Sequence, residues 1–354
     1  MANKKMYLTT GLGFGLIAIM LAYFGNPANM AICVACFIRD IAGSAKLHGA
    51  LPVQYLRPEI IGIIFGAMLM AIPRKEFKAR SGSSTGTRFL LGFMMMIGAL
   101  VFLGCPLRMV LRMSGGDLNA YVGLIGFVGG VFTGSLFLKK GYTLGKPQDT
   151  KTSSGFMVPG FFLALFVLFL IVPSLFAMSK EGPGSFHAPV MISLIGGLVF
   201  GGLAQLSAIC FSGSIRDVFL MKNFNRITGV LTLFVVVLIY NVATGNFNLS
   251  FANQPIAHTE HLWNILGLYV VGFAGVLLSG CPLRQLILTG QGSSDAGVTV
   301  IGMLVGAAFA HNFGLASSAE GTTDFGRIAI ILSIVLLFII AFTNLGKKME
   351  ASAK

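Results

Sequence analysis

The sequence predicts an all-α polytopic membrane protein: an inverted internal repeat with about ten transmembrane helices and four re-entrant half-helices. Hydrophobic residues make up 55% of the 354 residues and charged residues only 10%, a composition too apolar for the surface of a water-soluble domain. A cysteine-centred motif also occurs twice, and internal repeats of this kind are typical of transporters whose halves have opposite orientations. The expected class is therefore a membrane transporter rather than a soluble enzyme.

Two motifs define the repeat and its register. In the first, Cys281 repeats Cys105 half a chain length later, and the identical segments are Gly104-Cys105-Pro106-Leu107-Arg108 and Gly280-Cys281-Pro282-Leu283-Arg284. In the second, Cys210 repeats Cys33 at almost the same offset, and the segments are Ala31-Ile32-Cys33 with Ile38-Arg39-Asp40 and Ala208-Ile209-Cys210 with Ile215-Arg216-Asp217. Each copy thus contains two cysteine-centred segments, and a retained repeat of this kind points to the functional site.

Ten apolar runs are the predicted spans, although several are shorter than the ~20 residues of a straight transmembrane helix. They are 7–24, 59–72, 89–102, 121–138, 156–178, 190–204, 227–240, 262–278, 298–310 and 328–342. The first run resembles a signal peptide, but it is long enough to span and we expect a transmembrane helix there. The predicted division is a first repeat at 1–150, a linking helix at 151–180, a second and inverted repeat at 181–325, and a terminal helix with a tail at 326–354.

Positive charge predicts the orientation. The net charge of +13 is explained by basic residues in short loops on one side of the membrane, so no nucleic-acid partner is expected. The basic loops contain Lys4-Lys5, Arg74 to Arg88, Lys139 to Lys151, Lys222 with Arg226, and Lys347-Lys348. The loops at 179–188, 246–261 and 316–326 contain almost no positive charge. This pattern predicts a bacterial inner-membrane protein with both termini in the cytoplasm.

Four remaining segments fit neither spans nor ordinary loops. They lie at about 30–46, 105–117, 207–222 and 281–292, and together they contain all five cysteines. Each is moderately apolar and bounded by glycine, which suits a half-helix that enters and leaves on one side of the membrane. The topology places the first two on the outer side and the last two on the cytoplasmic side. With about five spans per copy, the second copy must be inverted, which would bring the tips together near the midplane.

The cysteine before each proline is predicted to bind a small anion. Proline suits the first turn of a helix, so Cys105 and Cys281 would be helix N-caps. The positive end of the helix dipole favours a thiolate there, and free backbone N–H groups attract an anion. Polarizable sulfur suits a sulfur or selenium species. We take Cys105 and Cys281, then Cys33 and Cys210, as substrate-binding residues. Arg108 and Arg284 either help to hold the anion or extend to lipid head groups.

Other residues have simpler explanations, and we expect no metal site and no cofactor. Cys36 forms a C-x-x-C with Cys33 but has no counterpart in the second copy, and both a packing role and a functional role stay open. The two Arg-Asp pairs are expected to be local ion pairs, and Asp117 and Asp295 are expected to cap the next span. His258 and His261 are expected in a solvated loop. The chain also has no P-loop motif for ATP.

The paired motifs and the glycine-rich spans resemble the YeeE/YedE membrane family over nearly the whole chain, most closely its YedE branch, whose members are described as selenium transporters. The resemblance implies an hourglass of inverted repeats with half-membrane loops. It also implies that thiosulfate or a related anion passes along cysteines, here Cys105, Cys281, Cys33 and Cys210. A cytoplasmic sulfur-carrier protein of the TusA/SirA type is the implied partner. Thiosulfate, a selenium species and polysulfide all remain candidate substrates.

Three functions remain open at this point. The first is uptake of a small sulfur- or selenium-containing anion, without enzymatic activity. The second is a membrane thiol-disulfide oxidoreductase, which needs a close cysteine pair and for which only Cys33 and Cys36 are adjacent in sequence. The third is a membrane anchor for a sulfur-carrier protein, which would leave the duplicated half-helices without a purpose.

Overall fold

The structure is a computed structural model that describes residues 4–27 and 29–346, so the predicted basic tail at Lys347-Lys348 lies outside the described residues. These residues form fourteen α-helices, two short 3-10 turns and one two-stranded ribbon between β1 (Arg80–Ser81) and β2 (Gln148–Asp149). The helices of the first half are α1 (Lys4–Tyr23), α2 (Val34–Ser44), α3 (Pro58–Ala71), α4 (Thr85–Phe102), α5 (Pro106–Ser114), α6 (Leu118–Lys139) and α7 (Thr152–Ile171). Those of the second half are α8 (Val190–Ser207), α9 (Phe211–Met221), α10 (Asn225–Ala243), α11 (His261–Leu277), α12 (Pro282–Gly290), α13 (Ser294–Asn312) and α14 (Asp324–Thr343).

Ten helical segments among the described residues are long and apolar enough to cross a membrane, which confirms the predicted fold class and number of spans. Most of these helices begin several residues before the predicted start, because the prediction followed apolar residues and the first helical turn contains polar ones. The helix α4 begins at Thr85 rather than 89, for example. The predicted span 156–178 was too long at its end, since α7 stops at Ile171 before Pro173, and proline disfavours helical backbone in the residue before it.

The four predicted half-helices are the four short helices α2, α5, α9 and α12, which contain 11, 9, 11 and 9 residues. Before each short helix, one residue has a left-handed backbone conformation, two positions ahead of the cysteine that precedes the helix. These residues are Ala31, Leu103, Ala208 and Ser279, with φ of 27°, 63°, 50° and 62°. A residue other than glycine in this region costs about 1–2 kcal/mol. The same strained backbone conformation therefore occurs before all four short helices, where the chain changes direction.

The helices pack in reciprocal pairs that link one half of the chain to the other. The helix α3 packs along α8, and α10, the counterpart of α3, packs along α1. Likewise α6 packs along α11, and α13 packs along α4. The short helices follow the same rule, with α12 on α3 and α5 on α10. A two-fold relation between the halves produces this pattern and supports the inverted repeat, whereas the predicted boundaries at 150, 180 and 325 stay predictions.

The loops sort into the two groups that loop charge predicts. On the basic face, defined by the loops 72–84 and 140–151, Arg80 pairs with Asp149 at 2.8 Å and the Lys78 N–H donates to the carbonyl after α12. On the opposite face, the Ala177 N–H in the loop after α7 donates to the Ser44 carbonyl at the end of α2. The Asn248 N–H in the loop 244–260 donates to the Gly115 carbonyl at the end of α5. The helices α2 and α5 therefore end at the opposite face, and α12 ends at the basic face.

Glycine brings helix backbones into direct contact at the longest interface. A Cβ added to Gly126 of α6 would collide with the backbone of Ile265 on α11, whereas one added to Gly160 of α7 would meet nothing within 4 Å. We expect Gly126→Val to lower the stability of the purified protein by about 1–3 kcal/mol, the usual cost of overpacking. Thermal unfolding in detergent measures this effect. The matched change Gly160→Val should leave the melting temperature unchanged, and equal effects of the two would contradict the packing argument.

Candidate functional site

The cysteines form two close pairs, one in each half. The Sγ atoms of Cys33 and Cys105 are 3.7 Å apart, and those of Cys210 and Cys281 are also 3.7 Å apart. All five cysteines are free and buried. The structure pairs Cys105 with Cys33 and Cys281 with Cys210, and the sequence analysis did not foresee these two contacts. Approach of Cys105 to Cys281 at the midplane stays a prediction.

All four paired cysteines are helix N-caps, as the Cys-Pro order predicts for two of them. Cys33 Sγ accepts the Cys36 N–H at 3.4 Å, and Cys210 Sγ accepts the N–H groups of Gly213 and Cys281 at 3.3 and 3.4 Å. A cap satisfies an N–H group that the helix itself leaves unpaired. Each thiol pair thus lies where two helix N-termini meet, in an environment that favours negative charge.

Arg108 is buried and held by protein acceptors. Its Nη2 donates to Asn29 Oδ1 and to the Ile256 carbonyl, both at 3.1 Å, and its Nη1 donates to the Leu103 carbonyl and reaches Cys36 Sγ at 3.6 Å. Most of its hydrogen-bonding capacity is therefore used within the protein. Cys36 contacts this guanidinium, so it does more than fill space.

Arg284, the counterpart of Arg108, has different surroundings. Its Nη1 is shielded from solvent and has no hydrogen-bond partner among residues 4–27 and 29–346. It lies within electrostatic range of Cys210, Cys281 and Arg226. Arg284 is partly buried, and the carboxylate of Glu76 also lies within electrostatic range of it. A shielded guanidinium nitrogen without an acceptor is costly, so this nitrogen is available to an anion.

The Arg-Asp pairs exist, and each has a third member that the sequence did not reveal. Asp40 is fully buried and pairs with Arg39 and Arg57, both at 2.7 Å. In the second half, Asp217 pairs with Arg216 at 3.0 Å and with Arg226 at 2.9 Å. The two added arginines stand at the starts of α3 and α10, so they come from equivalent elements. Their distance in sequence from the Arg-Asp motifs hid them.

One of the two predicted aspartate caps needs correction. Asp117 caps α6 by accepting the Asn119 N–H at 2.9 Å, as predicted, and also binds buried Arg112 at 2.6 Å. Asp295 is not the cap of α13, because Ser293 holds that position while Asp295 accepts two N–H groups from Gly82 and the next residue. The cap lies two residues earlier than the sequence suggested.

His258 is not solvated as expected. It is only 1% exposed, and its Nε2 lies 2.8 Å from the Val101 carbonyl, to which it donates. Burial lowers the pKa of His258, which keeps the ring neutral. Within the part of the chain that the structure describes, no three His, Cys, Asp or Glu side chains come together to hold a metal ion.

Two cavities lie at opposite ends of α1 and α10. The amide-lined cavity, about 270 Å³, touches Ala22 and Asn241 and is lined further by Asn26, Asn29, Asn246 and Gln254. The arginine-lined cavity, about 440 Å³, touches Tyr7 and Arg226 and is lined further by Arg74, Ser207, Ala208 and Asp217. A helix of 20 residues such as α1 is about 30 Å long, so the cavities open on different faces.

Each cavity is connected to one thiol pair. Asn29 of the amide-lined cavity accepts from Arg108, which also contacts Cys36 beside the first pair. Ala208 of the arginine-lined cavity lies two residues before Cys210 of the second pair. A residue of each cavity thus lies near one thiol pair.

Comparison with known proteins yields one family. The family model described as sulphur transport, Sulf_transp, matches residues 206–346, a segment that includes Cys210, Cys281 and Arg284. No curated protein matches the chain. The described residues contain ten helical segments able to cross a membrane, so the chain is a multi-pass membrane protein whose residues 206–346 are similar to sulphur transport proteins. The matched segment is less than half of the chain, and over that segment the chain is similar to the sulphur transport (YeeE/YedE) family.

Proposed function

We propose that this protein takes up a small sulfur- or selenium-containing anion across the bacterial inner membrane and passes it along the two thiol pairs. One observation carries the proposal: Cys33 with Cys105 and Cys210 with Cys281 lie 3.7 Å apart at the N-termini of four short helices. A lining residue of one cavity, Asn29, bonds Arg108 near the first pair, a lining residue of the other, Ala208, lies two positions before Cys210, and the cavities lie at opposite ends of α1. Thiosulfate and a selenium oxyanion are the candidate substrates.

The chemistry of the path is non-covalent. A sulfur that accepts a backbone N–H still has its own S–H to donate, so each pair can offer S–H groups to a terminal sulfur or selenium atom. Backbone dipoles and arginine stabilise the negative charge that would otherwise be expensive in an apolar interior. The anion exchanges one set of donors for the next, and no covalent bond forms or breaks. This mechanism assigns substrate contact to the four paired cysteines, Arg108 and Arg284.

The basic face is the cytoplasmic face in this proposal, because loops rich in lysine and arginine stay inside. Both termini then lie in the cytoplasm, and the anion moves from the amide-lined cavity to the arginine-lined cavity. A sulfur-carrier protein of the TusA/SirA type would receive it there. The repeat units would be 1–150 and 181–325, joined by the helix in 151–180 and followed by the terminal helix and tail.

The alternative is a membrane thiol-disulfide oxidoreductase, and the thiol distances define how it would work. The thiol of Cys33 makes its thiol–thiol hydrogen bond with Cys105, at 3.7 Å, whereas Cys36 donates its backbone N–H to Cys33 Sγ and accepts from Arg108 with its own sulfur. A redox disulfide would therefore join Cys33 to Cys105, not to Cys36 as the sequence suggested. Alkylation of the thiols during turnover, followed by mass spectrometry, distinguishes a cycling disulfide from thiols that stay reduced.

Uptake into vesicles tests the function directly. Inverted and right-side-out vesicles with and without the protein are given ³⁵S-thiosulfate or ⁷⁵Se-selenite, and accumulated label is counted. We expect label to enter only with the protein and all five thiols to stay reduced. A disulfide that cycles while no labelled anion enters would replace transport with the oxidoreductase.

The two motif arginines should respond differently to neutralisation. We expect Arg284→Gln to reduce uptake at least tenfold with little loss of stability, because Arg284 has no acceptor to leave unpaired and one charge-assisted hydrogen bond to the substrate is worth about 1.5–3 kcal/mol. Arg108→Gln should lower both uptake and the melting temperature, since four acceptors lose their donor. Identical melting temperatures for the two variants would contradict the difference in bonding. Arg284→Lys should restore part of the uptake, as it keeps the charge but not the planar fork.

A further inference from the structure

We propose that the anion has one main resting site, formed by Arg226 and Arg284 beside Cys210 in the second half, and that the first half holds no equivalent site. This inference rests on the proposed function and deepens it, because Arg226 is a binding residue outside both cysteine motifs. The site suits a small oxyanion with a terminal sulfur or selenium atom. Its oxygens would meet the guanidinium groups and its terminal atom the thiol.

A single sequence difference makes room for Arg226. Gly213 stands where the first half has Cys36, the one cysteine without a counterpart. A Cβ added to Gly213 would lie 2.8 Å from Arg226 Nη1 and 3.4 Å from Cys210 Sγ. Contacts under 3.0 Å force a neighbour to move, so a side chain here would separate the guanidinium from the thiol. The glycine lets a cation approach a substrate-binding cysteine.

The equivalent arginine of the first half is turned away from its thiol pair. Arg57 donates to Asp40 Oδ2 at 2.7 Å and to the carbonyls of Phe186 and Pro183 at 3.0 and 2.8 Å. Its guanidinium also stacks 4.4 Å from the ring of Phe37. These partners leave Arg57 no free donor that faces a thiol. The duplicated arginine therefore serves structure in one half and is available to a ligand in the other.

Both halves contain guanidinium nitrogens without a partner among the described residues, Arg108 Nε and Arg112 Nη2 in the first half among them, but only Arg226 of the second half also lines one of the two cavities. Arg226 Nε and Arg284 Nη1 are shielded from solvent and have no hydrogen-bond partner among the described residues. Arg226 is partly neutralised by Asp217, with which it shares a 2.9 Å ion pair, but Arg216 also binds that carboxylate. Two arginines thus share the carboxylate of Asp217, which leaves a net positive charge that an anion could neutralise.

The cavities differ in the same direction. Arg74 and Arg226 line the cavity beside the second pair, together with Asp217. The cavity beside the first pair is lined by neutral amides and Tyr240, with no charged side chain among its described lining residues. Amides can attract an anion transiently, whereas guanidinium groups can retain it. The amide-lined cavity would therefore bind the anion weakly, and the site beside the arginine-lined cavity would bind it strongly.

Calorimetric binding of thiosulfate to the full-length protein in detergent tests the proposal. We expect Arg226→Gln to weaken binding about tenfold, the effect of one lost charge-assisted hydrogen bond. Arg226→Lys should bind between the two. Arg80→Gln, which removes the same charge from an exposed ion pair on the same face, should bind like the wild type. Wild-type affinity in a folded Arg226→Gln protein would overturn the site, as would failure of the wild type to bind thiosulfate.

Exchange of the divergent residue provides a second test that leaves every arginine in place. Gly213→Cys installs the residue of the first half and should weaken thiosulfate binding as Arg226→Gln does, because the added side chain displaces the guanidinium. The matched change Gly160→Cys, at an exposed glycine where an added Cβ meets nothing within 4 Å, should leave affinity unchanged. Unchanged binding in Gly213→Cys would refute the role of the glycine. Vesicle uptake by the wild type reports on transport separately. If the wild type takes up the anion while Arg226→Gln and Gly213→Cys bind thiosulfate with unchanged affinity, the site is rejected and the proposed function is retained.

Discussion

Replacing Cys105 or Cys281 with alanine is expected to abolish uptake of labelled anion, with a loss of at least a hundredfold. Each change removes one thiol from a pair, and the surviving partner, Cys33 or Cys210, keeps its cap but loses the sulfur 3.7 Å away. The apolar methyl group cannot compensate an anion, and an uncompensated charge in a buried site is prohibitive. The vesicle assay measures the loss, and membrane content of the protein is measured in the same preparation.

Cys36→Ala is the matched control, because Cys36 is equally buried but belongs to neither pair. Its loss should reduce uptake only severalfold by removing one acceptor of Arg108. Serine at Cys105 or Cys281 separates hydrogen bonding from the softness of sulfur: partial uptake would show that a donor suffices, and none would show that sulfur is required. Normal transport by both alanine variants would eliminate the thiol path.

Asp40→Ala is expected to have the largest effect on stability. Asp40 is fully buried and is the partner of both Arg39 and Arg57. Its removal leaves two buried guanidinium groups without a counter-charge, and breaking one buried ion pair in this way typically costs about 3–5 kcal/mol. We expect little folded protein to reach the membrane, as measured by fluorescence-detection size-exclusion chromatography of the detergent extract.

Asp149→Ala removes the same carboxylate from the exposed pair with Arg80, where the aspartate side chain is 80% exposed. Exposed pairs contribute little to stability, so this variant should be recovered at the wild-type level. Asp217→Ala, in the less buried second triad, should fall between the two. A normal yield of folded Asp40→Ala would show that the first triad does not stabilise the fold.

The features that could be predicted from the sequence are those that depend on the order of neighbouring residues. The apolar runs locate the ten spans, and Cys-Pro locates the N-caps at Cys105 and Cys281, because residue order along a helix determines both. The repeat likewise locates all four short helices, since α9 and α12 follow α2 and α5 at the same offsets as their motif cysteines. Charge in the loops sorts the faces for the same reason.

What the sequence could not reveal is which distant residues meet. The pairing of Cys33 with Cys105 joins helices separated by two spanning segments, and no periodicity encodes that contact. The sequence analysis assigned no role to Arg57 and counted Arg226 among the basic loop residues. In the structure, Arg57 completes the buried triad of Asp40 and Arg226 completes the half-buried triad of Asp217. The meaning of Gly213 also needed the structure, because its role is defined by the neighbouring guanidinium. One usable signal was present: the positions where two copies differ mark where their functions differ.

The two-fold arrangement of the helices bears on the direction of transport. A passive route conducts in both directions, and a tighter resting site on one side alters occupancy but not the ratio of forward to backward flux, which is one when the anion has the same electrochemical potential on both sides. Net import must then be driven by whatever keeps the free anion scarce in the cytoplasm. Capture by an acceptor protein or chemical consumption would suffice, and cells that lack such a sink would leak the anion through the same protein.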